Sequence, residues 1–387
     1  MILEKQKYFP YLDALRFISF IMVFVSHCFS FLGYVPSTKI GQSIVYYFFY
    51  NGDLGVHFFF VLSGFLIAIK LIDEKEETLG IDLFQFYKKR VLRIWPVYYI
   101  VLFGICLNAS WISHYTLGQL VLSPKFDKNA FYHYFFFLGN YELIAHGIKN
   151  NFITILWSIS VEEQFYALCP LFIKLTQKRY LSVIMTILVI ISLGYRFILC
   201  EVGDMAYKYN SLSMILYLAA GCWSAWLTRE TNIVAYFKAL RWQRIAIAYI
   251  IGFAVLPLRR LEWANTFLDQ LLGNLIYFFE AIFFVFVILE QNFSEKSLIK
   301  LGASKTLSFL GTRTYGMYAY HLICLLFAQV IASNLGVRFV HVSPVVLICV
   351  ALSGLFITII AAEFSFRCFE IWFLSMRGDA SRYVRQI

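Results

Sequence analysis

Two ionisable residues, Arg16 and His27, lie inside the apolar run from Tyr8 to Ser30. Eleven positions separate them, which in an α-helix is three turns plus about 20°, so both lie on one face, roughly 16 Å apart. A charge in the bilayer centre costs about 2.5–3.5 kcal/mol on insertion scales, so this face is expected to point away from lipid. The pattern suits a basic anchor, Arg16, with a general base, His27, three turns further on, because imidazole exchanges protons near neutral pH. A structural pair that fixes neighbouring helices is the alternative.

A second polar cluster lies in the run LWSISVEEQFYALCP, where Glu162 and Glu163 sit well inside apolar sequence. Ser158 precedes Glu162 by one helical turn. Two carboxylates at this depth are not a solvated face. At least one is expected to pair with Arg16, with a histidine or with substrate hydroxyls, and Glu162 is the stronger candidate for a catalytic group.

Two further motifs combine candidate chemistry with candidate packing. His57 and Ser63 belong to GVHFFFVLSGFLI, where the small Ser63-Gly64 pair also permits close helix packing, so both interpretations stay open. Arg90 and Arg93, in KKRVLRIWPVYY, are three positions apart and share a helix face. They either anchor the cytoplasmic end of a helix or bind the phosphates of a cytoplasmic cofactor through forked hydrogen bonds.

A third stripe of polar groups, near the C-terminus, consists of Tyr315, Tyr318 and His321, spaced by three. His321 fits a buried structural histidine and a site residue equally well. Glu280 and Glu363 also lie at membrane depth, and for these two the sequence predicts pairing only.

Composition fixes the class of protein that must position these groups. The chain has 387 residues, of which 60% are hydrophobic and 14% charged, a balance that ordinary soluble domains do not have. Apolar runs of about 20 residues, each enough to cross about 30 Å of hydrocarbon, recur along its length. We predict an all-α polytopic membrane protein, a bundle of about ten transmembrane helices, with the first apolar segment retained.

The net charge is +10, and the Lys and Arg residues cluster in alternate loops, as the positive-inside rule expects. This distribution does not indicate nucleic-acid binding. The bias predicts that both termini are cytoplasmic. No CxxC pair or metal-ligand pattern is present, and the eight cysteines are expected to pack as small hydrophobic side chains.

Residues 83–93 should form an amphipathic lead-in, 113–150 an outside segment that dips into the membrane without crossing it, and 291–312 a polar inside loop. The predicted helices cover 11–32, 54–72, 94–112, 152–174, 180–200, 213–228, 245–258, 268–290, 315–335 and 345–366.

Taken together and in this order, these motifs resemble the acyltransferase 3 family of integral membrane acyltransferases. The matching pieces are R-x10-H at Arg16 and His27, HFFFVLSGFLI, R-x-x-R at Arg90 and Arg93, WSISVEEQFY and YGMYAYH. The resemblance covers residues 8 to about 372, which predicts one transmembrane acyltransferase domain over 1–387. The family's E-R-P-F-like ending is reduced here to Phe369-Glu370-Ile371-Trp372-Phe373. No SGNH hydrolase-like domain is recognisable after it, so a stand-alone form is expected.

The resemblance implies an O-acetyltransferase in a bacterial cytoplasmic (inner) membrane. It would move an acyl group, usually acetyl from acetyl-CoA, without a metal, to a hydroxyl of a glycan or lipid-linked glycan such as O-antigen, exopolysaccharide, a glucan or peptidoglycan. A succinyl or other short acyl donor and a small-molecule acceptor stay open. The donor phosphates would bind Arg90, Arg93 and Arg16, and His27 would act as a general base or a transient acyl carrier. Glu162 would orient its imidazole, as the third group of a triad does. Trp157 or Ser158 would shape the acceptor pocket, and His57, Ser63, Tyr318 and His321 are further candidates for the substrate site.

Two other classes compete with an acyltransferase. Buried Arg, His and Glu residues also suit a proton-coupled transporter, although the sequence has neither an inverted repeat nor paired Gly/Pro-broken helices. The second competing class is a membrane polysaccharide flippase or polymerase. Neither rival requires acetyl-CoA, which distinguishes them from the acyltransferase.

Overall fold

The computed structural model describes residues 9–32, 36, 38–112, 128–148, 151–199, 204–260, 267–337, 339 and 343–377. Within these ranges every regular element is a helix, which confirms the predicted all-α architecture. Ten long helices occupy the positions that the apolar runs predict. They are α1 (Pro10–Phe31), α2 (Gly52–Thr78), α3 (Leu83–Ile112), α4 (Trp157–Leu175), α5 (Lys178–Leu199), α6 (Ser211–Glu230), α7 (Trp242–Val255), α8 (Phe267–Phe293), α9 (Thr314–Asn334) and α10 (Pro344–Ser365).

The helices have the length and composition of membrane spans. Among the described residues, seven helical stretches are long and apolar enough to cross a bilayer, and the bent pair Ile233–Ala239 and Trp242–Arg259 would make an eighth. The two long helices that are not among these candidates are α3 and α4, and both carry charged site residues. The chain is therefore a multi-pass membrane protein, and its orientation in the bilayer stays a prediction.

Helix α2 lies at the centre of the bundle, with nearly every residue from Gly52 to Ile72 buried. It packs against α1, α4 and α6. At the α2–α6 crossing a Cβ on Gly64 would overlap the carbonyl oxygen of Leu218, and one on Gly221 would overlap that of Val61. The predicted close packing at Gly64 is thus confirmed, because only a residue without a side chain allows these backbones to touch.

The predicted helix over 152–174 is interrupted, which is a difference from the sequence-based expectation. A short helix, Asn151–Thr154, ends before α4 begins at Trp157. The carbonyl oxygen of Ile155 instead accepts hydrogen bonds from the Tyr318 hydroxyl at 3.1 Å and from Ser158 Oγ at 3.3 Å. Apolar residues continue through the break, so periodicity gave no sign of it.

The predicted polar loop over 291–312 is also partly wrong, because it contains a 3₁₀ turn, Leu301–Ala303, and a helix, Lys305–Thr312. Both pack against α1. A Cβ on Gly311 would overlap the backbone of Asp13, so glycine permits this contact. The segment is therefore part of the bundle and forms a wall of the site described below.

The described part of the segment before α4, residues 128–148, contains no helix long enough to cross a bilayer, and residues 113–127 and 149–150 of the predicted outside segment lie outside the described residues. Its two helices, Lys128–Phe135 and Gly139–His146, have eight residues each, which is about 12 Å against a hydrocarbon core of about 30 Å. The predicted lead-in at 83–93 is continuous with α3. The remaining short elements are Lys39–Ile44, Val45–Phe49, Asp204–Tyr209, Ile233–Ala239, Leu256–Arg260, Phe366–Glu370 and Ile371–Ser375.

Candidate active site

Two cavities inside the bundle share Val56 and Tyr318 as lining residues. The larger, here called the His27 cavity, has a volume of about 350 Å³. The smaller, the Arg16 cavity, has a volume of about 100 Å³. The His27 cavity is lined by residues that include Ser26, His27, Tyr50, Asp53, His57, Trp157, Arg196, Tyr209 and Tyr277. The Arg16 cavity is lined by residues that include Arg16, Ser63, Arg90, Arg93, Ser158, Glu162, Tyr166 and Tyr315. Helix α1 contributes to both.

In the His27 cavity, His27 is bound to a second histidine. His27 Nδ1 lies 2.7 Å from Nε2 of His321 on α9, and the two rings are parallel within 8°. His321 is fully buried, and its Nδ1 lies 2.7 Å from the backbone oxygen of Tyr318. Phe20 and Phe24 of α1 contact the His321 ring at centroid distances of 6.0 and 6.3 Å.

This chain of contacts determines which nitrogen of neutral His27 carries the proton. The Tyr318 carbonyl can only accept, so His321 Nδ1 is the donor and, in a neutral ring, His321 Nε2 is an acceptor. His27 Nδ1 must then donate to it. The lone pair of His27 is left on Nε2, the nitrogen that a general base would use. A histidine fixed in one tautomer through its other nitrogen is the usual arrangement of a functional imidazole.

Tyr318 stands between the two cavities. Its hydroxyl lies 2.7 Å from Ser158 Oγ and 3.1 Å from the Ile155 carbonyl oxygen, which the break before α4 leaves available. Val56 of α2 completes the partition. Tyr318 and Ser158 thus meet at the boundary between the two cavities rather than within one pocket.

The Arg16 cavity collects the three predicted arginines. Arg16 Nη1 forms an ion pair with Asp13 at 2.9 Å. The Arg90 guanidinium lies over the rings of Tyr166, at 5.2 Å, and Phe86, at 5.5 Å. Within the described parts of the chain, Arg90 and Arg93 form no ion pair with a carboxylate, so their charges are available to a ligand.

Glu162 belongs to the Arg16 cavity and not to His27. Its Oε1 accepts a hydrogen bond of 2.6 Å from Ser63 Oγ, which in turn accepts one of 3.2 Å from the Tyr166 hydroxyl. The contact that sequence reasoning expected between Glu162 and the imidazole is made by His321 instead. Glu163 accepts a hydrogen bond from Trp95 Nε1 at 2.9 Å.

His57 is held in a buried charge network at the far side of the His27 cavity. His57 Nδ1 lies 2.7 Å from Glu280 Oε1, and the other carboxylate oxygen lies 3.2 Å from Arg259 Nη1. Arg259 also pairs with Asp53. The His57 ring stacks on Tyr217 with centroids 4.0 Å apart. The prediction of pairing for Glu280 is therefore confirmed, and this network joins α2, α8 and the 3₁₀ turn Leu256–Arg260.

Aromatic rings form much of the remaining wall of the His27 cavity. Trp157 packs edge-on against Tyr209 with centroids 4.8 Å apart. Arg196 of α5 lies over Tyr277 at 4.0 Å. Sequence reasoning missed Arg196, although an arginine inside the apolar run VIISLGYRFIL is the same signal that identified Arg16. Among the described residues, no group of three or more His, Cys, Asp or Glu side chains is placed to hold a metal ion.

A comparison with protein families decides the classification. The model described as "Acyltransferase domain" of the acyltransferase 3 family matches residues 9–363 of the chain. The chain belongs to the acyltransferase 3 family. The motifs that carry the site on α1, α2, α3, α4 and α9 all lie within the match.

Curated acyltransferase 3 relatives are similar over most of this chain. The O-acetyltransferase OatA of Staphylococcus aureus (strain NCTC 8325 / PS 47) is 29% identical over 332 residues, covering 83% of this chain and 52% of that protein. The peptidoglycan O-acetyltransferase OatA of Listeria monocytogenes (EGD-e) is 26% identical, and the putative peptidoglycan O-acetyltransferase YrhL of Bacillus subtilis (strain 168) is 23% identical. The chain covers 49% of each of these two. It thus spans about half the length of the curated relatives it matches. No solved structure matches the chain.

Proposed function

We propose that the chain is a membrane O-acetyltransferase that moves acetyl from acetyl-CoA to a hydroxyl of a cell-surface glycan. One observation carries the proposal. A cationic cavity, in which Arg90 and Arg93 form no ion pair with any described residue, adjoins a second cavity that holds a histidine in a defined tautomer, and Val56 and Tyr318 are the described residues that line both. The cationic cavity suits the phosphates of the donor, and the histidine suits activation of a hydroxyl.

The positive-inside bias orients the two cavities. With the N-terminus in the cytoplasm, Arg16 near the start of α1 faces the cytoplasm, where acetyl-CoA is available. His27 then lies eleven residues, or roughly 16 Å, further across the membrane. Arg90, Arg93 and Arg16 would hold the phosphates, and the thioester would reach the partition beside Tyr318.

In the reaction that we propose, the oxygen of the acceptor hydroxyl attacks the thioester carbonyl carbon while His27 Nε2 takes the hydroxyl proton. The carbon–sulfur bond breaks, the acetyl group stays on the acceptor oxygen, and the CoA thiolate takes the proton back from the imidazolium. Effective proton transfer by a positioned side chain contributes about 10²–10⁴-fold. The same geometry permits a variant in which His27 Nε2 carries the acetyl group transiently.

The other candidates take supporting roles in this proposal. Glu162 acts in the donor cavity, where it holds Ser63 beside Arg90, rather than on His27. Ser158 and Tyr318 present hydroxyl groups at the partition, near the thioester carbonyl. Trp157 provides an apolar face for a sugar ring, and His57 fixes the wall opposite, through Glu280.

The acceptor that we propose is a glycan or lipid-linked glycan, since the His27 cavity combines aromatic rings with charged side chains. The Listeria relative is named for peptidoglycan, which makes peptidoglycan a first acceptor to assay, beside O-antigen and exopolysaccharide. A proton-coupled transporter or a flippase is the rival function, and it predicts no dependence on acetyl-CoA.

The test is transfer of labelled acetyl from acetyl-CoA to membrane glycan, in vesicles that contain the wild type or His27→Ala. His146→Ala is the matched control, because this histidine is partly exposed and lines neither cavity. We expect transfer by the wild type and the control and a loss of about 10²-fold or more in His27→Ala. Equal transfer by His27→Ala would remove His27 as the base. Glycan movement without any donor would favour the rival.

A further inference from the structure

Lys70 is an exposed lysine on an otherwise buried stretch of α2. Leu66, Ile67, Ile69 and Leu71 around it are all buried, whereas Lys70 is exposed. Ser63, Leu66 and Ile67 line the Arg16 cavity. Lys70 follows Ser63 by seven positions and Ile67 by three, so it continues the same face of the helix. Its side chain therefore extends the cavity wall by one more turn.

Lys70 adds a positive charge to a cavity wall that already holds Arg90 and Arg93. Both arginines are close enough to repel its ammonium group. Within the described parts of the chain, Lys70, Arg90 and Arg93 make no ion pair. Like charges gathered without a counter-charge raise the energy of the empty site, which a bound anion would relieve.

The carboxylates that interact with Arg90 and Arg93 do not supply that anion, because each is bonded elsewhere. Glu162 is bonded to Ser63, and Glu163 to Trp95. Glu370, whose field also acts on Arg93, accepts a hydrogen bond from Ser365. Among the described residues, Lys70, Arg90 and Arg93 thus have no direct carboxylate partner, and a ligand with several negative charges would complete the site.

The position of Lys70 along α2 indicates which part of a donor it meets. Val56, at the partition, is 14 residues away, which is about 21 Å along the helix axis. A donor whose thioester lies at Val56 reaches Lys70 only if it is extended and carries its anionic groups at the opposite end. Acetyl-CoA has this form, since its adenosine 3′-phosphate lies at the end remote from the thioester.

We propose that Lys70 contacts the 3′-phosphate of a coenzyme A thioester, while Arg90 and Arg93 bind the diphosphate. The inference rests on the proposed function, because it assumes a coenzyme A donor. A lysine ammonium is a compact point charge suited to a terminal phosphate, whereas the arginine forks suit a bridging diphosphate. This chain would thus discriminate coenzyme A from donors that lack the 3′-phosphate.

The experiment measures binding of coenzyme A and of 3′-dephospho-coenzyme A to the purified full-length protein by calorimetry. The variants are Lys70→Met, Lys70→Arg and the control Lys238→Met, which removes an exposed lysine of the short helix Ile233–Ala239. We expect the wild type and the control to bind coenzyme A about tenfold more tightly than the dephospho compound, as a lost charge-assisted hydrogen bond predicts. Lys70→Met should bind both compounds equally, at the wild-type affinity for the dephospho compound, and Lys70→Arg should regain part of the preference.

The outcomes separate this inference from the proposed function. A wild type that binds neither compound would overturn both. Binding of coenzyme A with the same preference in Lys70→Met as in the wild type would overturn the role of Lys70 alone. Equal weakening of both compounds in Lys70→Met would also overturn it, because the loss would not come from the 3′-phosphate.

Discussion

Replacing His321 tests the tautomer argument directly. His321→Leu removes the acceptor for His27 Nδ1–H while it keeps an apolar side chain between Phe20 and Phe24. The imidazole must then either bury an unpaired N–H or move its proton to Nε2, the position of the base. The cost of a buried unpaired donor is about 1–3 kcal/mol. Because this cost applies to the tautomer that keeps the Nε2 lone pair free, the population of that tautomer, and with it kcat, should fall roughly 5- to 160-fold.

The assay is the initial rate of acetyl transfer, measured over a range of acetyl-CoA concentrations. KM for the donor should stay unchanged, because His321 does not line the Arg16 cavity. His321→Gln is the matched variant, since its amide oxygen can accept from His27 Nδ1–H, and we expect it to regain much of the lost rate. The fold is checked by the thermal denaturation of each variant in detergent.

Two results would refute the reasoning. If His321→Leu were as active as the wild type, the tautomer of His27 would not depend on His321. If a stable His321→Gln were as inactive as His321→Leu, the role of His321 would not be to accept that hydrogen bond.

Three further predictions concern helix packing, the boundary between the cavities and the buried ion pairs of Glu280. Gly64→Ala should lower the free energy of unfolding by about 1–3 kcal/mol, because its Cβ would overlap the Leu218 carbonyl. Gly194→Ala, where nothing lies within 4 Å of an added Cβ, should leave that free energy unchanged. Equal melting temperatures for the two variants would contradict this prediction. Val56→Phe should block the partition, so that transfer falls while calorimetric coenzyme A binding stays, and unchanged transfer would show that acetyl passes elsewhere. Glu280→Gln should destabilise the protein by about 3 kcal/mol, because His57 loses its carboxylate partner and Arg259 is left with Asp53; an unchanged denaturation midpoint would disprove it.

The sequence predicted the fold where the signal is local and repeated. Apolar runs of membrane length gave all ten long helices, and buried charges gave Arg16, His27 and Glu162 as candidates. It did not give the partners of those charges, because two side chains distant in the chain meet only through helix packing. His27 and His321 are 294 positions apart. No spacing rule could distinguish His321 from Glu162 as the group that contacts the imidazole.

Other misses had a different physical cause. The break at Ile155 leaves no trace in hydropathy, since the residues on both sides are apolar, and the compensating donor, Tyr318, comes from a distant helix. The helix at Lys305–Thr312 was hidden because it has only eight residues, in which polar and apolar side chains alternate irregularly, and its packing depends on the absence of a side chain at Gly311. In both places a tertiary contact, rather than a local preference, decides the backbone.

In the proposed function, helices α1 and α2 together set how far the acetyl-CoA donor would have to reach. On α1, Arg16 and His27 are roughly 16 Å apart along the axis, and on α2 Val56 and Lys70 are about 21 Å apart. The two helices pack against each other, and both cavities open along this pair. A thioester without an extended arm could satisfy the arginines or reach the partition, but not both. The proposed function therefore requires a long donor, whatever contacts its acyl group makes.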